Sequence, residues 1–516
     1  MRIAGGQTRR VTKYDRPLQA GSVPVILNAV KNLYSDTIVA PATTPGTGAI
    51  SIVRVSGPDC FKIVDTVVKL KHGNISNAAA YTIHYGEVYT TIPHEAPSLI
   101  LSEAEGSPTL LDQVLVSVFR SPHSYTGEDS VEISTHASSY IVSELISLLI
   151  KAGARFAEPG EFTRRAFLNG KMDLAQAEAV ADVISSTTSA SHKVAMNQLK
   201  GGYSKELAGL RAELLDTASL LELELDFSEE DVEFADRERL AVLLNTALEH
   251  VKRLASSFRQ GNLIKNGVPV AIVGSTNAGK STLLNALLGE DRAIVSDIAG
   301  TTRDTIEETM NLGGILFRFI DTAGIRESSD VIEKVGIDRA FKKLSQAEIV
   351  LAILDPYADL IEQTELVLDK VDMSSQKLFF LINKADSISQ NDINKNVILF
   401  NKFVSNANYK YNSIIISAKT GLGLEELKNT LVEAEKDLIL NSDSVFVTNA
   451  RHYQALQNAQ DSLSRCLSSL EKGLPTELLS EDLRSAISSV NTILGESLLD
   501  PDTILHSIFS RHCIGK

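Results

Sequence analysis

A glycine-rich loop, GSTNAGKS from Gly274 to Ser281, constrains the fold of this chain more than any other feature. An apolar segment, VPVAIV, comes directly before the loop, and the amphipathic run TLLNALLG follows it. Glycines let the backbone curl until its N–H groups face phosphates, while Lys280 can reach the terminal phosphates and Ser281 can ligate Mg²⁺. The strand, loop and helix in this order predict a nucleotide phosphate site. The residues predicted to line it are Asn277, Ala278, Gly279, Lys280, Ser281 and Thr282.

A second apolar run, ILFRFIDTAG, places Asp321 at the end of a predicted strand. A carboxylate there can hold Mg²⁺ through water, and the N–H of Gly324 can meet a γ-phosphate. Thr322 and Ala323 lie between them and are predicted to belong to the same nucleotide-binding turn. An ordinary turn at the end of a strand is the alternative interpretation.

Two further strand ends indicate which base is bound. LFFLINKAD ends with Asn383, Lys384 and Asp386, and SIIISAK ends with Ser417, Ala418 and Lys419. A carboxylate can accept hydrogen bonds from N1–H and the exocyclic amine of guanine, a pair of donors that adenine does not present. A backbone N–H in the second segment could meet the guanine O6. Four motifs in this order, each closing a predicted strand, indicate GTP binding.

Composition and charge exclude several classes of protein. Hydrophobic residues make up 43% and charged residues 22% of the chain, which is ordinary globular usage and excludes a disordered or fibrous protein. No apolar run reaches the 18 or so residues that span a bilayer. Three widely spaced cysteines fit neither a disulfide framework nor a zinc site, which favours a reducing, cytoplasmic setting. The net charge of −15 argues against nucleic-acid binding over the whole surface.

The length of 516 residues predicts about three domains, and changes of hydrophobic period suggest their boundaries. Residues 1–36 are basic and are predicted to be an extension, either a disordered tail or a start codon assigned too early, with a transit peptide as the alternative. Residues 37–155 predict a small α+β domain. Residues 156–265 and 436–516 have the helical period, and 266–435 alternate strands with helices. We therefore predict a helical domain interrupted by an inserted α/β domain.

The nucleotide motifs resemble those of the translation-factor-like GTPases. In this resemblance the GTTRD segment supplies Thr301 and Thr302. Thr302 completes the Mg²⁺ shell together with Ser281 when GTP is bound. One position departs from the usual pattern. Ile325 follows Gly324, and its side chain cannot orient a water as a glutamine would, so hydrolysis must be assisted by another group.

The flanking segments narrow the resemblance to one family. TIVAPATTPGTGAISIVRVSG, SYTGEDSVEI, PGEFTRRAFLNGKMDLAQAEAVADVI, the GTTRD loop and the terminal CIGK together resemble the tRNA modification GTPases of the MnmE, or TrmE, family. The resemblance runs from about Thr37 to Lys516. It implies an N-terminal domain of the tetrahydrofolate-binding type and, around the inserted P-loop GTPase domain, a split helical domain. Related ribosome-assembly GTPases share the GTP motifs but neither of these flanking features.

The resemblance also implies an activity and partners. Such a protein is expected to be a homodimer that hydrolyses GTP and forms a heterotetramer-type complex with an FAD-containing MnmG (GidA)-like protein. Together they would add a carboxymethylaminomethyl or aminomethyl group to carbon 5 of the wobble uridine, position 34, of certain tRNAs. The one-carbon unit would come from 5,10-methylene- or 5-formyl-tetrahydrofolate. A regulatory GTPase in ribosome assembly, without covalent chemistry, is the alternative.

Residues near both ends of the chain match family positions for this chemistry. Arg54, Glu132, Lys171 and Lys516 match folate-contacting positions, where arginine and lysine can pair with carboxylates and a carboxylate can accept from the pterin. Cys513 of the tail matches a cysteine tied to the modification chemistry, and its basic neighbours favour the reactive thiolate. A small hydrophobe in a frayed tail is the alternative for this cysteine.

The family also offers a substitute for the missing glutamine. In the resemblance, a K⁺ ion at paired GTPase domains occupies the place of an arginine finger, and Glu333 positions the attacking water. Asn277 of the phosphate loop could instead be an ordinary turn residue. The residues implied as K⁺ ligands are Asn277, Ser296, Ile298 and Thr301.

Overall fold

The structure is a computed structural model that describes most of the chain. The described residues are 36–91, 109–226, 237–291, 308–320, 344–389, 398, 400, 402, 412–440, 444–496, 508, 509 and 515. Residues 1–35 of the predicted extension lie outside them. The chain divides into two compact units, residues 1–177 with 494–516, and residues 178–493.

The first unit is built on a seven-stranded sheet in the order β3-β4-β5-β6-β2-β1-β7. Its pairs are antiparallel except for β1 with β7, which are parallel. In chain order its elements are β1 (Ile38–Pro41), β2 (Gly48–Ser56), α1 (Cys60–Val67), β3 (Val68–Leu70), β4 (Thr82–Tyr89), β5 (Leu110–Phe119), β6 (Ser130–Ala137), α2 (Ser139–Lys151), β7 (Arg155–Phe156) and α3 (Glu161–Leu168).

Alternation along the strands places one apolar face of this sheet under two helices. In β5, Val114, Val116 and Val118 are buried, while the residues between them are more exposed. Val64 of α1 and Leu145 of α2 pack into the same core. Strand residues two apart share a face, which explains the pattern. The predicted α+β domain is confirmed.

Helix α3 is fixed by a buried ion-pair cluster. Nη2 of Arg165 lies 2.6 Å from Oδ1 of Asp36 and 3.0 Å from Oε1 of Glu161. Nη2 of Arg155 lies 2.6 Å from the same Glu161 oxygen. Burial by itself raises the pKa of Glu161, but the hydrogen bond from Arg155 and the charge of Arg165 outweigh it, so the pKa is lowered. Phe162 follows Glu161 of this cluster in the first turn of α3.

Helices and a second sheet follow along the chain. The elements are α4 (Leu174–Ser185), α5 (Ser189–Leu199), α6 (Gly202–Asp226), α7 (Arg237–Ser256), α8 (Phe258–Asn266), β8 (Val268–Gly274), α9 (Lys280–Asp291), β9 (Glu308–Leu312), β10 (Ile315–Phe319), β11 (Ile349–Leu354), α10 (Leu360–Leu368), β12 (Lys377–Ile382), β13 (Asn412–Ile415), α11 (Leu424–Ala434), α12 (Lys436–Leu440), α13 (Ala450–Glu471) and α14 (Thr476–Leu494).

The second sheet has six strands in the order β13-β12-β11-β8-β10-β9. All neighbours are parallel except the edge strand β9, which runs antiparallel to β10. Every residue of β11, IVLAIL, is buried, as expected for a central strand of a parallel sheet covered on both faces. The carboxyl ends of β8, β11, β12 and β13 therefore meet at one edge, which we call the nucleotide edge. The predicted inserted α/β domain is confirmed.

The chain enters and leaves this α/β domain at one place. A Cβ added to Gly261 of α8 would lie 2.2 Å from the carbonyl oxygen of Val447, so only glycine permits this approach. The N–H of Val447 donates to Oγ of Ser257 at 3.0 Å. Nε2 of Gln198 donates to the carbonyl oxygen of Phe446 at 2.9 Å. The outgoing segment, Phe446 and Val447, is thus bonded both to the incoming connection at Ser257 and to α5 at Gln198.

The helices before and after the inserted domain pack together, as predicted. The apolar stripe of α13 includes Leu463, Leu467 and Leu470, all buried. Helix α7 contributes a matching stripe, with Leu244 and Val251 buried, and packs against α13. No helix among the described ranges is long and apolar enough to cross a membrane.

A buried carboxylate joins these two groups of helices, in an arrangement that we call the Glu178 cluster. Glu178 of α4 accepts from Nε of Arg451 at 3.0 Å and from Nδ2 of Asn449 at 2.9 Å. Nε2 of His452 lies 2.7 Å from its Oε2. Burial alone raises the pKa of Glu178, but the charges and hydrogen bonds of His452 and Arg451 outweigh it and lower the pKa to about 2.

Candidate functional site

The phosphate loop connects β8 to α9 at the nucleotide edge, and two glycines make its path possible. Gly274 has φ +154°, and an added Cβ would lie 2.5 Å from the carbonyl oxygen of Ile353 on the neighbouring strand. Gly279 has φ +104°, and its Cβ would lie 2.2 Å from Nδ2 of Asn383. Between them Asn277 has φ +63°, a left-handed conformation that asparagine tolerates better than most residues. The predicted loop is therefore a tight turn whose glycines cannot be replaced.

Lys280 begins α9, and its ammonium lies over the loop. Its Nζ donates to the carbonyl oxygens of Gly274 and Ser275, both at 2.9 Å. Partial burial lowers the pKa of Lys280 from its ordinary value. Ser281 and Thr282 follow in the first turn, and the N-terminus of a helix favours an anion. This arrangement fits a bound phosphate chain.

Asn383, at the end of β12, braces the nucleotide edge. Its side chain is almost fully buried, with 4% of the residue exposed. Nδ2 donates to the carbonyl oxygen of Ala278 at 2.7 Å, and Oδ1 accepts from the N–H of Ala418 at 3.0 Å. One amide therefore joins three of the four predicted motifs, a role that the sequence motifs alone do not predict.

Asp386 and Ser417 come together on the same edge. Oγ of Ser417 donates to Oδ1 of Asp386 at 2.7 Å, and this hydrogen bond is the main reason why the pKa of Asp386 is lowered. The carboxylate is exposed, so it stays ionised and able to accept from a ligand. Lys419 follows Ser417 and adds a weaker charge contribution to the same pKa shift. The two predicted base-recognition segments are adjacent.

Lys384 has a partner that sequence reasoning missed. Its Nζ lies 2.6 Å from Oδ2 of Asp355, and its ammonium is 5.9 Å from the ring centre of Tyr357. Asp355 directly follows the buried strand β11, so it reaches the same edge as the other motifs. The signal was available: an acidic residue placed immediately after a continuous apolar run. The contact fixes the aliphatic chain of Lys384 along this edge.

Several predicted site residues lie outside the described residues and stay predictions. They are Ser296, Ile298, Thr301, Thr302, Asp321, Thr322, Ala323, Gly324, Glu333, Cys513 and Lys516. Of the two Mg²⁺ ligands predicted, only Ser281 is described, and its hydroxyl at the start of α9 suits a hard cation.

A second group of predicted residues lies in the first unit. Arg54 on β2 is directly opposite Glu132 on β6. Nε and Nη2 of Arg54 donate to Oε1 of Glu132 at 3.0 and 2.7 Å. Nη1 donates to the carbonyl oxygen of Gly515 at 3.2 Å. The structure thus places two predicted folate contacts in one ion pair, beside a residue of the CIGK tail.

Two aromatic rings that sequence reasoning did not single out flank this pair. The Arg54 guanidinium lies 5.4 Å from the ring centre of Tyr125 and 5.6 Å from that of Phe162. Both belong to segments, SYTGED and GEFTRR, that carried the family resemblance, so their position in those motifs was the available signal. Lys171 makes a different contact: its Nζ donates to the carbonyl oxygen of Pro122 at 2.9 Å.

Comparisons with known proteins show the family to which this chain belongs. The family model described as the MnmE helical domain matches residues 174–513, and that described as the GTP-binding protein TrmE N-terminus matches residues 37–171. A tRNA modification GTPase MnmE of Bacteroides fragilis is 50% identical over 485 residues, 93% of this chain and 99% of that protein. The protein of the same name from Flavobacterium johnsoniae is 46% identical over 93% of this chain and 99% of that protein. The one from Porphyromonas gingivalis is 46% identical over 95% of this chain and 100% of that protein.

Proposed function

Because this chain belongs to the tRNA modification GTPase MnmE family, we propose that it hydrolyses GTP while a wobble uridine of tRNA is modified. The reaction adds a carboxymethylaminomethyl or aminomethyl group to carbon 5 of uridine 34. The observation that carries the GTPase part is the nucleotide edge, where Asn383 braces the phosphate loop and Ser417 orients Asp386. Family membership carries the tRNA part.

At the nucleotide edge each residue has a distinct task. The first turn of α9 and Lys280 bind the β- and γ-phosphates. Asp386 would accept from N1–H and the amine of guanine, and the segment of Ser417, Ala418 and Lys419 would lie near O6. Because Asp386 is ionised and hydrogen-bonded by Ser417, it discriminates against adenine, which offers no matching donors.

Metal ions would complete this site. Ser281 and Thr302 would hold Mg²⁺, and Asn277, Ser296, Ile298 and Thr301 would hold K⁺, which supply positive charge to the phosphates. Asp321 to Gly324 would contact the γ-phosphate, and Glu333 would orient the attacking water. Paired GTPase domains of a homodimer would bring the K⁺ site into its working form.

The first unit would carry the one-carbon chemistry. Arg54, Glu132, Lys171 and Lys516 would bind a tetrahydrofolate, with the 5,10-methylene or 5-formyl group as the one-carbon source. Cys513 would act at the uridine or on the one-carbon unit. A flavoprotein of the MnmG (GidA) type would share the complex and supply FAD, and the setting would be the cytoplasm. The proposed domains are 37–155, 156–265 with 436–516, and 266–435.

Nucleoside analysis of tRNA tests the proposal. A strain that lacks this protein should lose the carbon-5 modification of uridine 34, and expression of the full chain should restore it. Lys280→Ala should fail to restore it, since removal of one preorganised charge from a phosphoryl-transfer site costs roughly a hundredfold in rate or more. Unchanged wobble uridines in the deletion strain would overturn the modification role.

Salt dependence tests the K⁺ site separately. GTP turnover by the purified protein should be faster in KCl than in NaCl at equal ionic strength, because the ion replaces an arginine finger. Asn277→Ala should reduce that difference. Equal rates in both salts would reject the K⁺ site while leaving GTP hydrolysis itself intact.

A further inference from the structure

The turn from Lys384 to Ser387, which carries Asp386, has a strained backbone at its first residue. Lys384 has φ +62°, a left-handed conformation that lysine rarely adopts because its Cβ crowds the backbone. A residue keeps such a conformation only where its surroundings hold it, and such residues cluster at functional sites. The contacts that hold Lys384 therefore bear on the position of Asp386, two residues later.

Asp355 holds the side chain of Lys384. Its Oδ2 lies 2.6 Å from Nζ of Lys384, and only 16% of the Asp355 side chain is exposed. Oδ1 of the same carboxylate accepts from the N–H of Tyr357 at 3.1 Å. Because both carboxylate oxygens have partners, the carboxylate cannot turn away from Lys384 without losing a hydrogen bond.

Helix α10 fixes the backbone of Asp355. Oε1 of Gln363 accepts from the N–H of Asp355, and its Nε2 donates to the Asp355 carbonyl oxygen, both at 2.9 Å. Leu360 and Thr364 of the same helix are buried, so Gln363 belongs to a packed element. Asp355 is therefore held through its main chain as well as through its side chain.

Tyr357 holds the other end of the turn. Its Oη donates to the carbonyl oxygen of Ser387 at 2.8 Å. The N–H of Ser387 in turn donates to the carbonyl oxygen of Lys384 at 3.0 Å, which closes the turn. Tyr357 is 64% exposed, and its ring centre lies 5.9 Å from the Lys384 ammonium. Asp355 and Tyr357 thus contact the first and the last residue of the turn that carries Asp386.

We infer that Asp355 and Tyr357, which we call the Asp355 clamp, are positioning residues that set the discrimination of this site for guanine. Asp355 acts through Lys384, Tyr357 acts through Ser387, and together they fix the direction of the Asp386 carboxylate. The inference rests on the proposed contact of Asp386 with guanine. Accepting from N1–H and the exocyclic amine at once needs a defined carboxylate direction, and the clamp provides it.

Competition between GDP and IDP for the full-length protein tests the inference. The two nucleotides differ only in the exocyclic amine, which hypoxanthine lacks, so the ratio of their Kd values measures that one contact of Asp386. Asp355→Asn keeps the shape of the side chain but removes its charge. It should weaken GDP binding roughly tenfold and IDP binding about threefold, so that the ratio falls about threefold. Asp355→Glu, which restores the charge, should recover part of the ratio.

Tyr357→Phe keeps the test decisive if Asp355→Asn does not fold. It removes only the hydroxyl of an exposed ring, and the ratio should fall about twofold through the lost bond to Ser387. The matched control is Asp369→Asn, which removes the same charge from an exposed position at the C-terminal end of α10 and should keep the wild-type ratio. A loss of overall stability alone would change both Kd values by the same factor and leave the ratio unchanged.

Asp386→Ala separates the inference from the proposed guanine contact on which it rests. This variant removes the acceptor itself, so GDP and IDP should bind equally. If it keeps the wild-type ratio, the guanine contact is wrong and the inference fails with it. If it abolishes the discrimination while Asp355→Asn and Tyr357→Phe keep the wild-type ratio, the guanine contact stands and the clamp is overturned. A reduced ratio in all three variants supports the inference.

Discussion

The nucleotide edge and the Glu178 cluster both join segments that are far apart in sequence, but through different chemistry. Asn383 reaches Ala278, 105 residues away, through a neutral amide that donates and accepts. Glu178 reaches Arg451, 273 residues away, through a charge that only accepts. Removal of a neutral side chain such as Asn383 costs its hydrogen bonds. Removal of a charged one such as Glu178 also leaves its partner without a counter-charge. Replacement of Glu178 should therefore lower the stability more than replacement of Asn383.

The largest effect is expected for Glu178→Gln, which keeps the shape of the side chain but removes its charge. Arg451 would then lack a counter-charge, so the free energy of unfolding should fall by about 3 kcal/mol. Denaturant unfolding at neutral pH measures this. Glu471→Gln, an exposed position on the same helix as Arg451, is the control and should change little. Equal stability of the two variants would contradict the importance of the cluster.

The dependence of stability on pH should further distinguish the Glu178 cluster from the Asn383 contacts. The pKa of Glu178 is about 2, below its ordinary value of 4.5. Its stabilisation is therefore fully present above about pH 4.5 and is lost as the pH falls toward 2. The stability difference between the wild type and Glu178→Gln should shrink over this interval, whereas that between the wild type and an Asn383 variant should not follow it. A stability difference between the wild type and Glu178→Gln that is constant from pH 6 to pH 3 would contradict stabilisation by the charge of Glu178.

Asn383→Ala removes the amide that joins the phosphate loop to Ala418. It leaves the buried N–H of Ala418 and the carbonyl of Ala278 without this partner, which should lower the stability by about 2 kcal/mol and weaken GTP binding. Asn383→Asp sharpens the test, because its carboxylate would face the carbonyl oxygen of Ala278 and cannot donate. Asn245→Ala, which removes an exposed bond within one helix, is the control. Full GTP affinity in both Asn383 variants would show that the brace is dispensable.

The smallest effect is expected for Ser417→Ala, which removes one hydrogen bond to Asp386 but not the brace. GTP affinity should fall roughly threefold to tenfold, since one such bond orients the carboxylate that accepts from guanine. Titration calorimetry with GTP measures this. Ser387→Ala is the matched control, because its Oγ donates to the nearby carbonyl oxygen of Lys384 and, among the described residues, not to Asp386. A loss as large as that of Asn383→Ala would mean that both residues belong to one unit.

The nucleotide edge and the Arg54–Glu132 pair differ in how far the sequence predicts them. The phosphate loop is predictable because its glycines, Lys280 and Ser281 lie within eight residues, so local geometry alone brings them together. The Asp355 contact with Lys384 follows from the rule that carboxyl ends of parallel strands share an edge, once the strand order is known. The domain types were predicted from hydrophobic period for the same local reason.

The Arg54 pairing was beyond such reasoning. That Arg54 meets Glu132 rather than a neighbour depends on the register of β2 with β6, and one residue of slip would turn the side chain to the other face. Its contact with Gly515 spans 461 residues, and no local pattern encodes it. The bracing role of Asn383 is similar, since the motif identified the residue but not the partners of its amide.

The Glu178 cluster has a consequence for synthesis on the ribosome. Arg451 is translated 273 residues after Glu178, a delay on the order of 15 to 50 seconds at about 5–20 residues per second. During that time the residues of the GTPase domain are translated and can begin to fold, while Glu178 of α4 still lacks Arg451. The GTPase domain should therefore fold first, and the helical domain should close around it last. Slow closure exposes the apolar stripes of α7, so chaperone dependence should arise from this late step.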